Sequence, residues 1–129
     1  MPKRILVVDD NDFARETTAE MVEYFGWEVS EAANGLQALE ILKGRSFELV
    51  LMDCEMPGMD GLETTRLALA QAGANPPVVV AITAHQGSDH VRACRETGMQ
   101  EHLGKPFSLK LLGELLSRYN KENAPIKGA

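Results

Sequence analysis

An α/β fold with a doubly wound parallel sheet follows from three observations. Five short apolar runs alternate with five stretches of helical periodicity along the chain. The runs Ile5-Leu6-Val7-Val8 and Val78-Val79-Val80-Ala81-Ile82 are continuous rather than alternating, as in strands buried on both faces. Capping and stop residues separate the segments at the spacing of short connections. With 129 residues and 44% apolar side chains, the chain is one domain with enough material for one core. We expect that domain over residues 1–120 and a tail or linker over 121–129, where the sequence turns polar.

Taken in order, the first strand is Ile5 to Val8, stopped by Asp9-Asp10-Asn11-Asp12. Asn11 or Asp12 caps the first helix, in which Ala14, Thr17, Met21 and Tyr24 fall at helical spacing before Gly26. Trp27 to Ala32 is the second strand. Asn34 caps a helix with Leu36, Leu39 and Leu42 on its apolar face, closed by Gly44. Leu49 to Met52 forms the third strand and delivers Asp53 into the turn-rich Pro57-Gly58 segment. Asp60 and Glu63 have capping-box spacing, so the third helix starts near Gly61 and runs through Leu62, Leu69 and Ala72 to Gly73. The fourth strand ends at Thr83-Ala84. The fourth helix, Ser88 to Thr97, has only Val91 and Cys94 as clear apolar contacts, and Gly98 stops it. Glu101 to Gly104 is the fifth strand, ended by Lys105-Pro106. Ser108 caps the last helix, with Leu109, Leu112, Leu116 and Tyr119 along one face.

Bulk properties exclude several functions. A net charge of −6 without a basic stripe argues against direct nucleic-acid binding. Two cysteines, Cys54 and Cys94, are too few for a disulfide framework and point to a reducing compartment. No apolar run approaches the ~18 residues of a membrane span, and the basic start meets Asp9 and Asp10 too soon for a signal peptide. The expectation is a soluble, cytoplasmic chain without membrane insertion.

In an open parallel α/β sheet, functional groups gather beyond the carboxyl ends of the strands. Here those ends carry Asp9 and Asp10, Asp53, Thr83, and Lys105. They form one group if strands one, three, four and five are neighbours. Two carboxylates about 4 Å apart repel by ~4 kcal/mol at a near-surface dielectric. Three together therefore need raised pKa values or a divalent cation, and hard oxygen ligands suit Mg2+. With Lys105 as a second positive charge and Thr83 as a hydroxyl, the set suits phosphoryl transfer to Asp53.

At LVVDDN, MDCEMPGMDG, AITAH and GKPF, in that order from Lys3 to Tyr119, the chain resembles a response-regulator receiver domain of two-component signalling. Each string is a weak pattern; four in order are specific. The resemblance implies a flavodoxin-like (βα)5 fold with strand order 2-1-3-4-5 and a cis bond between Lys105 and Pro106. It implies Asp53 as phosphoacceptor, and Mg2+ on Asp10, Asp53 and the backbone carbonyl of Glu55, with Asp9 acting mostly through water. Thr83 would close on the phosphoryl oxygens and Lys105 would pair with them. MDCEMP and CRETGMQEHLGKP look most like receivers of hybrid kinases and phosphorelays, so the implied donor is a phosphohistidine on a histidine kinase or a histidine-phosphotransfer domain. The resemblance also implies a phosphorylation-dependent homodimer through helix four, strand five and helix five. The chain would catalyse only its own phosphorylation and dephosphorylation. One departure stands out: His102 occupies the place where the family carries an aromatic switch.

Three other readings compete. A Mg2+-dependent phosphatase with an aspartyl nucleophile generally needs a D-x-D-x-T-like string, whereas Glu55 and Pro57 follow Asp53 here. A flavodoxin-type cofactor binder needs a phosphate loop, which the acidic run after the first strand would repel. A docking receiver that has lost phosphorylation is favoured only by His102. Asp12 reads as a helix cap rather than a ligand, and Cys54 as a small buried hydrophobe. His85 and His90 read as solvated, with no second His or Cys at ligand spacing.

Overall fold

The computed structural model of the chain describes residues 3–120; the tail expected at 121–129 lies outside them. The elements alternate strictly: β1 (Arg4–Val8), α1 (Asp12–Tyr24), β2 (Glu28–Ala32), α2 (Gly35–Gly44), β3 (Leu49–Asp53), α3 (Gly61–Ala72), β4 (Val78–Thr83), α4 (Ser88–Thr97), β5 (Glu101–Gly104) and α5 (Leu109–Arg118). The five strands form one parallel sheet in the order β2-β1-β3-β4-β5. Register pairs Val8 with Met52, Asp53 with Ile82, and Thr83 with Gly104, so four strands end side by side on one rim.

The period-2 alternation of each strand feeds two cores. Leu6, Val8, Val50, Met52, Val79 and Ala81 pack under α2, α3 and α4 with Ala38, Leu62 and Cys94. Ile5, Val7, Leu49, Leu51, Val80 and Ile82 pack under α1 and α5 with Val22, Leu112 and Leu116. Continuous apolar runs were required because both faces of every central strand are covered.

Four helices start on a side-chain cap. Asn11, Asn34, Asp60 and Ser108 accept hydrogen bonds from the backbone N–H groups of Ala14, Gln37, Glu63 and Leu111 at 2.8–3.0 Å, a contribution of about 1 kcal/mol each. Asn11, not Asp12, caps α1; Asp12 pairs with Arg15 at 2.8 Å. Glu63 does not complete a reciprocal box, because its carboxylate pairs with Arg66. The Lys105-Pro106 peptide is cis.

The expected helix faces need correction in four helices. In α1 the buried residues are Ala19 and Val22, while Thr17 and Tyr24 are exposed. Leu36 of α2 is 69% exposed, and Leu109 of α5 is also exposed, with Leu115 taking its place in the core. The buried stripe of α3 is built from Gly61, Thr64, Thr65 and Ala68, with Leu62 and Leu69 partly buried beside it. Each residue turns the helix by about 100°, so an apolar residue one position off rotates out of the stripe, and small residues fill it where the helix approaches the sheet closely.

Candidate functional site

The site lies on the rim where β1, β3, β4 and β5 end. Asp9 directly follows β1 and is buried, whereas Asp10 faces solvent. Asp9 is held by its neighbours: Oδ1 accepts from Asn11 N–H at 2.9 Å, and its carbonyl accepts from Arg15 Nη1 at 3.0 Å. Arg15 also reaches Glu31 at 3.1 Å, which ties α1 to β2 under the acidic loop. Arg15 escaped the sequence reading; its only signal was its place three residues after Asp12.

Asp53 ends β3 with 1% of its surface exposed. Its Oδ1 accepts from Lys105 Nζ at 3.1 Å and from Glu55 N–H at 3.1 Å. Lys105 Nζ stands 3.9 Å from Asp9 Oδ2, so one ammonium spans two carboxylates. Carboxylate oxygens of Asp9, Asp10 and Asp53 all lie within 4.8 Å of one another. Burial pushes the Asp53 carboxyl up to about 6; Lys105 and the Glu55 amide pull it down, and Asp9 pushes it further up. Burial disfavours the Lys105 ammonium, but its contacts with Asp53, then Asp9 and Glu55, outweigh this and raise its pKa. Three oxygen donors so close, one of them open to solvent, fit a hard divalent cation that keeps part of its water shell.

Thr83 ends β4 fully buried. Its hydroxyl donates to the Glu55 carboxylate and accepts from His85 N–H at 3.0 Å. His90 Nε2 stands 3.2 Å from the same oxygen. Because the hydroxyl proton goes to Glu55, His90 is the donor in that bond. The carboxylate of Glu55 therefore engages the Thr83 hydroxyl, a role the sequence reading did not give it.

The histidine in contact with Thr83 is thus His90, not His102. His102 sits on β5 opposite Ala81, half-buried, with its ring 6.3 Å from that of His90. Its pKa is lowered by burial and, after that, by His90 and Arg95. His85 is exposed as expected, but His90 is not simply solvated. It stands 3.6 Å from Cys94, its i+4 neighbour on α4, and both belong to a cluster with Cys54. The spacing of His90 and Cys94 on one helix face was the overlooked signal. Cys54 is buried, as expected of a small hydrophobe.

Comparison with known proteins points to one family. The family model described as response regulator receiver domain matches residues 5–117. The chain is 37% identical over 121 residues to hybrid signal transduction histidine kinase E of Dictyostelium discoideum, covering 91% of this chain and 7% of that protein. It is 34% identical over 119 residues to sporulation initiation phosphotransferase F of Bacillus subtilis, covering 92% of this chain and 94% of that protein. Among solved structures, it is similar to the receiver domain of a sensor histidine kinase from Pseudomonas aeruginosa PAO1, with TM-score 0.83, 30% identity, and 92% and 98% of the two chains covered. That structure holds a magnesium ion coordinated in its active-site cleft. The chain spans 6 to 13% of the length of the sensor and hybrid histidine kinases it matches. No helix among the described residues is long and apolar enough to cross a membrane. With the acidic cluster, the buried Asp53 and Lys105 on one rim, and all of the β2-β1-β3-β4-β5 sheet but Arg4 inside the matched span, the chain belongs to the response-regulator receiver domain family of two-component and phosphorelay signalling.

Proposed function

We propose that this receiver takes a phosphoryl group from a phosphohistidine onto Asp53. The single observation that carries the reading is the buried Asp53 carboxylate, bound at 3.1 Å by Lys105 and clustered with Asp9 and Asp10. Both protein donors to Asp53 go to Oδ1, so we assign the attack to Oδ2. The P–N bond of the donor breaks, the Oδ2–P bond forms, and the imidazole leaves. Asp10, Asp53 and the Glu55 carbonyl would hold Mg2+, with Asp9 acting mostly through water. When bound, the cation offsets the repulsion between the carboxylates and the phosphoryl group. Lys105 moves its hydrogen bond from Asp53 to a phosphoryl oxygen. Thr83 exchanges Glu55 for the phosphoryl group, and the face of α4, β5 and α5 changes with it, as a homodimer interface driven by phosphorylation. Residues 1–120 are the receiver unit. It acts on its own aspartyl phosphate rather than turning over a separate substrate.

The donor is a histidine kinase or a histidine-phosphotransfer domain. An open cavity of about 500 Å³ beside Lys105 supports such a docking face, lined by Phe13, Thr17, Met21 and Phe107. Phe13 projects there with 80% of its surface exposed. The test is phosphorylation by acetyl phosphate with Mg2+. Wild-type protein should take up one phosphoryl group and Asp53→Asn none; label retained in Asp53→Asn would overturn the assignment.

A further inference from the structure

Beside the acidic rim, Cys54, His90 and Cys94 form a second group with metal-ligand chemistry. Cys54 follows the end of β3, and His90 and Cys94 lie four residues apart on α4. The two sulfurs are 3.9 Å apart, and His90 Nε2 is 3.6 Å from Cys94 Sγ. All three ligand atoms fall within 4.8 Å of one another. A tetrahedral zinc ion, with Zn–S of about 2.3 Å and Zn–N of about 2.05 Å, sets S···S near ~3.8 Å and S···N near ~3.6 Å. Both of these separations already match. The remaining edge, from Cys54 to His90, lies within the same 4.8 Å.

Charge and access agree with the spacing. Both sulfurs are buried, and an isolated charge there would be costly. Two thiolates, a neutral imidazole and one Zn2+ sum to zero, so the complex adds no net charge to the core. The oxygen ligands of the rim suit Mg2+, whereas thiolates select softer ions, so the two sites sort metals by chemistry. A cavity of about 260 Å³ reaches Cys94 and is shared with Met99 and His102. His102 Nε2 is buried there without a hydrogen-bond partner, a polar group that a metal-bound water can satisfy.

We propose that Cys54, His90 and Cys94 bind Zn2+, with a water in the fourth position on the cavity side, and that its occupancy is linked to Thr83. Each thiol gives its proton to solvent on binding. His90 Nε2 is also the atom 3.2 Å from Thr83 Oγ1. Coordination uses the lone pair of that nitrogen, moves its proton to Nδ1, and removes its bond to Thr83. The hydroxyl that would turn to the phosphoryl group loses one restraint. Zinc therefore favours the phosphorylated form and, by reciprocity, phosphorylation tightens zinc binding. This coupling, though not the site, rests on the phosphoacceptor reading.

The test uses the full chain, reduced and stripped of metal, titrated with Zn2+ against a chromophoric chelator in excess Mg2+. Co2+ serves as the optical probe. The expected result is one Zn2+ per chain, and a Co2+ form with tetrahedral d–d bands and a thiolate charge-transfer band. Cys94→Ser and His90→Ala should each weaken Zn2+ by at least about 100-fold, the upper end of what losing an outer-shell partner does. Should Cys94→Ser not fold, the half-buried His90→Ala and the wild-type thiolate band decide. Absence of that band, or zinc displaced by Mg2+, or zinc affinity unchanged in the variants, overturns the site. A beryllofluoride-treated protein should bind Zn2+ at least about fivefold tighter; equal affinity overturns the coupling. Asp53 failing to label while the thiolate band persists would remove the phosphoacceptor reading and the coupling that rests on it, and leave the zinc site.

Discussion

At 1% exposure, Asp53 holds a carboxyl that burial pushes up to about 6, from an ordinary value of 3.8. In the unfolded chain it ionises near its ordinary value, so the folded state binds the proton more tightly. The stability contributed by the neutral form is complete below about pH 4 and is lost as pH rises through about 6. A rise from 3.8 to about 6 corresponds to roughly 3 kcal/mol, at about 1.4 kcal/mol for each tenfold change in proton affinity. Asp53→Asn, in the absence of divalent metal, should therefore be more stable than wild type at pH 7 by about 1–3 kcal/mol. The gap should close between pH 6 and pH 4, as read by urea denaturation at several pH values. A gap independent of pH would contradict the burial account. The place of Asp53 at the end of β3 was legible in the chain, because a lone carboxylate closes the apolar run LVLM. The Glu55–Thr83–His90 contacts were not, since they join residues from three segments whose approach no local pattern encodes.

At the scale of elements, α3 meets β3 through a glycine. A Cβ on Gly61 would lie 2.3 Å from the Asp53 carbonyl oxygen and 2.9 Å from Cys54 Cα. Both are backbone atoms that cannot rotate away. Gly61→Ala should cost about 1–3 kcal/mol by overpacking, measured by urea denaturation, and should slow phosphorylation from acetyl phosphate by displacing the end of β3. On the other edge, α5 is fastened to β5 through Glu101, which accepts from Tyr119 Oη at 2.5 Å and Arg118 Nη2 at 2.8 Å. Burial opposes the Glu101 charge, but these two donors prevail and hold its pKa below the usual value. The stability they supply is present above the unfolded pKa and is lost as pH falls through the folded one. Burial and the carboxylate together push the Tyr119 hydroxyl up to about 12. Tyr119→Phe should cost about 1 kcal/mol at pH 7 and less in acid. Element order, caps and stops were readable because Asn11, Asn34, Asp60 and Ser108 act within three residues of themselves. Helix faces were less so: in α1, alanines and threonines carry too little contrast to show which stripe meets the sheet.

Across the whole molecule, the parallel register brings β1, β3, β4 and β5 to one rim, and α1 sets Phe13 beside it. An aromatic ring 80% exposed next to Lys105 is suited to a protein donor and irrelevant to a small one. Phe13→Ala should reduce the rate of phosphotransfer from a cognate phosphohistidine domain about fivefold or more, since anchors of this kind are worth over about 1 kcal/mol. Its labelling by acetyl phosphate should stay within twofold; equal losses with both donors would mean that Phe13 supports the site rather than the partner.

The chain by itself determined the alternation of five strands and five helices, their caps, and the placement of Asp9, Asp10, Asp53, Thr83 and Lys105 at strand ends. These follow from local chemistry: continuous apolar runs for two-sided burial, side chains that satisfy free N–H groups, and carboxylates where a run stops. Tertiary structure alone decided that Lys105 bridges Asp9 and Asp53, that Glu55 engages Thr83, and that Cys54 meets His90 and Cys94. Those contacts link residues up to 96 positions apart. They depend on strand order and on how each helix turns its face to the sheet, quantities that a one-dimensional pattern carries only weakly.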